Sequence, residues 1–308
     1  RSTCGMQNYQ LLGFPISSEY QDPNNTVIII VDFENGQIHW NSSNQSATLV
    51  PTSPVSWGLA WLAAKQKPYG SDQGYWTYNN NGYVGSTALG VVALHKGGYR
   101  YNDPVVQRAI NFIVARNHGT NGGFYINHNQ ATYSTSMALM ALRAVKDDPG
   151  APPELETYIE WARNYLLNGR NSDGGWRYYA NYGYSDLSVT QWPALALYES
   201  GYSQQSFWDG VSNFASSRQK GSGEFTYHRS YSQGGGAITG AGLWCLLFNS
   251  NYDYASEPVQ RGFDWLVNDN WNIYACPGYS HGGSYGYYYY YMYSLAKACE
   301  LSNQTFIY

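Results

Sequence analysis

Charge is scarce in this chain. Lys, Arg, Asp and Glu together make up 12% of the 308 residues and leave a net charge of −4. Without a positive excess there is no electrostatic footprint for nucleic acid, and none is expected as a partner. Long apolar runs are also missing. The longest, around Val27 to Val31 and Leu243 to Phe248, fall well short of the roughly 20 residues that cross a bilayer, so no membrane span is expected. The six His residues show no His-x-x-x-His spacing, so neither a metal nor another cofactor is indicated. Cysteine is sparse: Cys4, Cys245, Cys276 and Cys299. These permit two disulfides in three pairings, or simple buried thiols at Cys245 and Cys299 on predicted helices.

Aromatic residues and glycine are abundant, with 32 Tyr, 11 Trp and 33 Gly. That excludes a disordered chain, which has few aromatics and many charges. Low Lys and Arg content, frequent Asn, Ser and Tyr, and Asn-x-Ser/Thr sequons at Asn24, Asn41, Asn44 and Asn303 point to an extracellular protein, secreted or on a cell surface. A chain that opens on Arg1 fits a mature secreted product.

One pattern recurs four times, running from a Thr to a Leu seven residues later: Thr87 to Leu94, Thr135 to Leu142, Thr190 to Leu197 and Thr239 to Leu246. The Thr-to-Thr steps are 48, 55 and 49 residues. A Gly-containing turn and an aromatic residue precede each copy: Trp76, Phe124, Trp176 and Phe225. Such a period marks stacked units, none of which buries its apolar face alone. Each unit reads as helix, Gly-aromatic turn, helix. The first helices, over 55–66, 105–116, 158–167 and 208–218, are amphipathic, with polar faces such as Lys65-Gln66 and Arg163-Asn164. The second helices are apolar almost all round, as in Ala88 to Leu94 and Ala241 to Leu247, which predicts burial on every side. Thr135 and Thr190 are expected near helix starts, accepting from orphan N–H groups, with Pro193 in the first turn. A looser fifth unit runs from Val259 to Val267, then through Cys276 and His281 to a helix over 288–299.

These units resemble the prenyltransferase and squalene-cyclase repeat. The third, Asp173-Gly174-Gly175-Trp176 followed by Asp186-Leu187-Ser188-Val189-Thr190, matches best. The resemblance covers residues 55 to about 300. It implies an all-α fold, an α/α toroid of five to six helical hairpins. Cyclases of that family protonate their substrate with the middle Asp of an Asp-x-Asp-Asp-Thr motif, and here Ser188 stands in that place. Zinc-dependent prenyltransferases of the same fold bind metal through Asp-x-Cys and a His. The corresponding stretches here read Asp186-x-Ser188 and Tyr288-Tyr289-Tyr290-Tyr291. Both inherited chemistries therefore lack their key groups. Cys4-Gly5-Met6-Gln7 resembles the thioester motif of complement and α2-macroglobulin domains, which implies a Cys4–Gln7 acyl group for surface attachment.

Two further readings come from the residues themselves. Asp186, Glu224, His228, Tyr227 and His128 fall in turns that enter the second helices. They would share one mouth for a glycan or an apolar ligand, with an acid and a base flanking it; alternatively, Asp186 caps a helix while Tyr and His fill loops. Residues 1–50 form a separate arm, with residues 51–308 as the toroid. In the arm, two β-branched runs around Asn35-Gly36 predict a hairpin carrying Ile28, Ile30 and Trp40. A lone hairpin is marginal and must pack on something, either this chain or a neighbour by strand addition. The Tyr run, with Tyr288 and Tyr290, offers either interface area or pocket lining. The expected role is a non-catalytic scaffold, self-assembling subunit or binding module; the alternative is an enzyme on glycans or isoprenoids at the mouth near Asp186.

Overall fold

The computed structural model describes residues 17–33, 36–51, 54–67, 73–78, 81–119, 121–180, 182–228, 234–269 and 288–304. Cys4, Gln7, Cys276 and His281 lie outside the described residues. The chain divides into two compact units, residues 1–116 with 141–156, and residues 117–140 with 157–308.

The first unit opens on an antiparallel sheet rather than a lone hairpin. Strands β1 (Tyr20–Asp22), β2 (Asn25–Phe33), β3 (Gly36–Asn41) and β4 (Ser46–Pro51) pair in chain order, with Ile29 opposite Trp40 and His39 opposite Thr48. The extra strands follow from Asx turns. Asp22 Oδ1 accepts from the Asn24 N–H and Asn41 Oδ1 from the Ser43 N–H, reversing the chain on both sides of the expected hairpin. Ile30 is 6% exposed, and Ile28 and Trp40 are half-buried.

Helix α1 (Pro54–Lys65) departs from its expected amphipathic role. It buries no residue, and Trp57 and Trp61 are 59% and 61% exposed. An i, i+4 spacing sets both indoles on one face, while Leu59 and Leu62 lie toward Gly97 and the Trp76 indole. Helices α2 (Val84–Lys96) and α3 (Pro104–Val114) follow, α2 after the short pair β5 (Thr77–Tyr78) and β6 (Asn81–Gly82). Pro104 opens α3, where a missing N–H costs nothing.

In the second unit, β7 (Asn117–His118) and β8 (Gly123–Phe124) lead to α4 (Ala131–Val145), whose residues from 141 on belong to the first unit. Helices α5 (Leu155–Asn168, from residue 157 on), α6 (Leu187–Glu199), α7 (Gln205–Ser216), α8 (Gly236–Leu247), α9 (Glu257–Asp264) and α10 (Tyr288–Leu301) complete the second unit, with a π-turn at Trp265–Asp269 extending α9. As the all-round apolar pattern predicts, α6 is buried from Leu187 to Leu197 and α8 from Gly236 to Leu246. Helix α8 packs on α6, α7 and α10. Cys245 and Cys299 are free thiols, and burial pushes both up from the usual thiol range.

The four repeats share one construction. The backbone N–H groups of Trp76, Phe124, Trp176 and Phe225 donate to Oγ1 of Thr87, Thr135, Thr190 and Thr239 at 3.3, 2.9, 3.0 and 3.2 Å. The threonines therefore satisfy the aromatic turn and not, as expected, the helix start. The Trp76 and Trp176 indoles donate to the carbonyls of Leu62 and Leu166, tying each turn to the helix before it. Gly74, Gly122, Gly174 and Gly223 all have positive φ, and each lies against a backbone carbonyl of the following first helix, at Arg108, Trp161, Gly210 and Arg261. Gln66, read as part of a polar face, is buried and donates to the Gly74 carbonyl in the turn and to the Val105 carbonyl in the following first helix. Pro193 lies in the second turn of α6, inside the helix, where it removes one i→i−4 bond.

Two glycines with the same backbone separate conformation from contact. Gly174 (φ 94°) abuts the Gly210 carbonyl, whereas a Cβ on Gly183 (φ 89°) would meet nothing within 4 Å. Gly174→Ala is expected to cost roughly 2–4 kcal/mol in urea denaturation and Gly183→Ala only about 1 kcal/mol.

Candidate functional site

Asp186 ends the loop that follows the third aromatic turn and caps α6. Its backbone is extended (φ −128°, ψ 155°), and Oδ1 accepts from the Val189 N–H at 2.8 Å and from Ser188 Oγ at 2.7 Å. Oδ2 pairs with the Arg177 guanidinium. The carboxylate is 0% exposed and the Arg177 side chain 14%. Burial opposes the Arg177 charge, but Asp186 and then Tyr227 outweigh it, so the guanidinium holds its proton more tightly than usual. Arg177 also faces the rings of Tyr178, Tyr184 and Tyr182 at 4.7, 5.0 and 5.7 Å.

A shell of phenols surrounds this pair. Tyr133 Oη lies 3.2 Å from the Ser188 carbonyl and Tyr178 Oη 2.9 Å from Tyr227 Oη. The Tyr227 carbonyl accepts from the Leu187 N–H at 3.1 Å. Tyr290 Oη reaches the Gln191 amide and the Ser188 carbonyl. Burial, with the neighbouring Tyr290 and Asp186, pushes the Tyr133 phenol well above its usual range. Burial and then Asp186 do the same for Tyr290. These hydroxyls are therefore neutral donors at ordinary pH. Beyond them the interior is aromatic: Trp192 stacks on Tyr293 at 5.7 Å and 9°, and meets Trp244 edge-on at 6.1 Å.

The expected site residues are only partly gathered. Tyr227 and His228 lie beside Asp186, with His228 Nδ1 at 3.3 Å from the Ser185 carbonyl. His128 connects through a file of rings, His128–Tyr179–Tyr182–Tyr184–His228, with centroid spacings of 4.9 to 5.6 Å. Glu224 stands apart, paired with Lys220 in its own Gly-aromatic turn. Tyr290, read as interface or pocket lining, is half-buried and turns toward Gln191 and Ser188; Tyr291, Ser294 and Leu295 are buried on α10, while Tyr289 is exposed. The Tyr288 side chain lies outside the described residues. Among the described residues, no group of three His, Cys, Asp or Glu is placed to hold a metal. Arg177, Tyr178 and Tyr133 were missed by sequence reasoning. One signal was available for the first: in a chain so poor in charge, an Arg directly after the aromatic plug needs a counter-ion.

A sequence model of the squalene-hopene cyclase C-terminal domain matches residues 84–237, half of the chain. No curated protein matches. Among solved structures, ent-copalyl diphosphate synthase from Streptomyces platensis is similar at 18% identity and a TM-score of 0.59, over 81% of this chain and 46% of that one. A protein from Actinoplanes is similar at 15% identity and a TM-score of 0.50, over 68% and 62%. The type II terpene cyclase MstE from Scytonema gives 19% identity and a TM-score of 0.49, over 69% and 61%. The chain thus spans less than half of the first protein and about three fifths of the others. The first likeness shows the fold class, the terpene cyclase-like α/α toroid, and nothing of the activity.

Two measurements probe this cluster. Asp186→Ala removes the cap and strands a buried guanidinium, and is expected to cost about 3–5 kcal/mol of unfolding free energy. Burial lowers the His228 pKa from 6.5 and outweighs its bond to the Ser185 carbonyl. The unfolded chain then takes up the proton first as pH falls, so stability declines from about pH 6.5 downward through the folded pKa. Urea midpoints across that range are expected to decline less in His228→Gln.

Proposed function

Because this chain belongs to the squalene-hopene cyclase C-terminal domain family, we propose that it is a non-catalytic member, which retains the cyclase scaffold and aromatic interior as a structural or binding module. The state of Asp186 carries this reading. Starting the cyclisation of an isoprenoid chain by protonation needs a carboxylic acid whose O–H points at an alkene. The Asp186 oxygens accept from an arginine, a hydroxyl and a backbone N–H, which occupies them as acceptors. Ser188, at the position the resemblance gives to the acid, donates its own proton to Asp186. A hydroxyl is far too weak an acid to protonate an alkene.

Family membership and the file of rings from His128 to His228 favour a second reading, an enzyme acting on isoprenoids or glycans at the same mouth. Self-association through the N-terminal sheet also belongs to the scaffold reading. Among the described residues, strands β1 and β4 are the two edges of its sheet, and an edge strand is where a further strand would add.

Purified protein incubated with squalene and with geranylgeranyl diphosphate is expected to give no cyclised product by gas chromatography–mass spectrometry. A product that forms with the native chain, and disappears in Asp186→Asn while that variant keeps its fold, would establish the enzyme reading instead.

A further inference from the structure

Away from the Asp186 cluster, a cleft of about 550 Å³ opens between α7 and the segment that follows α8, lined by Asp209, Ser212, Asn213, Asn249, Asn251, Tyr252 and Ser256. That volume lies within the span of small-ligand sites. The repeats explain why the space exists. Position 163 in α5 and position 200 after α6 recur 49 residues later as 212 and 249. In the earlier repeat the Arg163 guanidinium fills the junction, donating to the Ser200 carbonyl at 3.0 Å. In the later one Ser212 stands where the arginine would be; Asn249 hydrogen-bonds it at 2.8 Å, and both residues line the cleft.

The walls are fixed from behind. Asn249 and Ser212 are each 1% exposed. Asn249 Nδ2 donates to Ser212 Oγ at 2.8 Å and to Asp209 Oδ1 at 3.0 Å, and Asn249 Oδ1 accepts from Gln205 at 2.7 Å and from the Asn251 N–H at 2.9 Å. Gln205 and Asn251 also donate to Asp209 Oδ1, at 2.9 and 3.4 Å. Every one of these bonds to Asp209 falls on the same oxygen. Among the described residues, Asp209 Oδ2, the Asn213 amide and the Tyr252 hydroxyl carry no hydrogen bond, and all three residues line the cleft.

We propose that this cleft binds a neutral saccharide. The lining has no Lys, Arg or His to hold an anion, no aliphatic side chain to hold a lipid, and a single carboxylate, too few for a metal cluster. What remains is one strong acceptor, an amide that both donates and accepts, and a hydroxyl on a flat ring. Those groups match the vicinal hydroxyls and the C–H face of a sugar. None of the seven residues takes part in the Asp186 cluster, so the proposal stands whether or not that site is catalytic.

The test is amide chemical-shift mapping of the full chain titrated with cellobiose, maltose and chitobiose. Shifts confined to Asp209, Asn213 and residues 249–256, with a Kd near 1 mM for at least one sugar, are expected. Asp209→Asn and Asn213→Ala should each weaken that binding about tenfold, and Ser212→Arg, copying the earlier repeat, should abolish it. The two former variants alter exposed or half-exposed groups, so the test holds even if Ser212→Arg does not fold. The proposal is overturned if no sugar shifts these amides, if the variants bind as the native chain does, or if Ca²⁺ alone produces the same shifts.

Discussion

The N–H of the aromatic residue in each turn is buried where two helices meet, and a threonine hydroxyl is what satisfies it. A buried donor left without a partner costs about 1–3 kcal/mol, and the same bond is made at Thr87, Thr135, Thr190 and Thr239. The bond also sets register. With the turn held to the second helix, the positive-φ glycine two residues before the aromatic presses its backbone against a carbonyl of the following first helix. No side chain fits between, and that contact spaces one hairpin from the next. In two repeats the aromatic ring then lies against a glycine of the second helix, Trp76 on Gly90 and Phe225 on Gly242.

The Asp186 cluster elaborates the same turn. Arg177 follows the plug residue Trp176, and Asp186 caps the helix that carries Thr190. A cap alone needs one acceptor oxygen; here the second oxygen is committed to a guanidinium that is itself stacked on tyrosines. Removing both charges together would be far milder than removing one, since a buried pair is expensive mainly when broken. The arrangement is thus well suited to hold a loop in place, and poorly suited to release a proton.

In a chain with so little charge, three arginines each have a local task. Arg177 neutralises a buried cap, Arg163 fills a junction between helices, and Arg108 steadies Gln66 at 3.0 Å. Where one such arginine is exchanged for serine, at position 212, space and unpaired polar groups appear together. Variation within a regular scaffold is where new binding surfaces arise, because the repeat contacts that hold the fold are untouched.

Repeat spacing, the buried character of α6 and α8, the cap at Asp186 and a β-structured arm were all legible in the sequence. Each rests on local physics: periodicity, β-branching, turn chemistry and capping propensity. Legibility ended where partners are distant in sequence. The thiols of Cys245 and Cys299, the inward turn of Tyr290, the exposure of Trp57 and Trp61 and the bridging role of Gln66 depend on which surfaces the packed helices offer. The threonine bond shows the division most clearly. Sequence marks the Thr and the aromatic as a repeating pair, but only the tertiary structure shows one accepting from the other, because the two are brought together by a turn whose length differs from repeat to repeat.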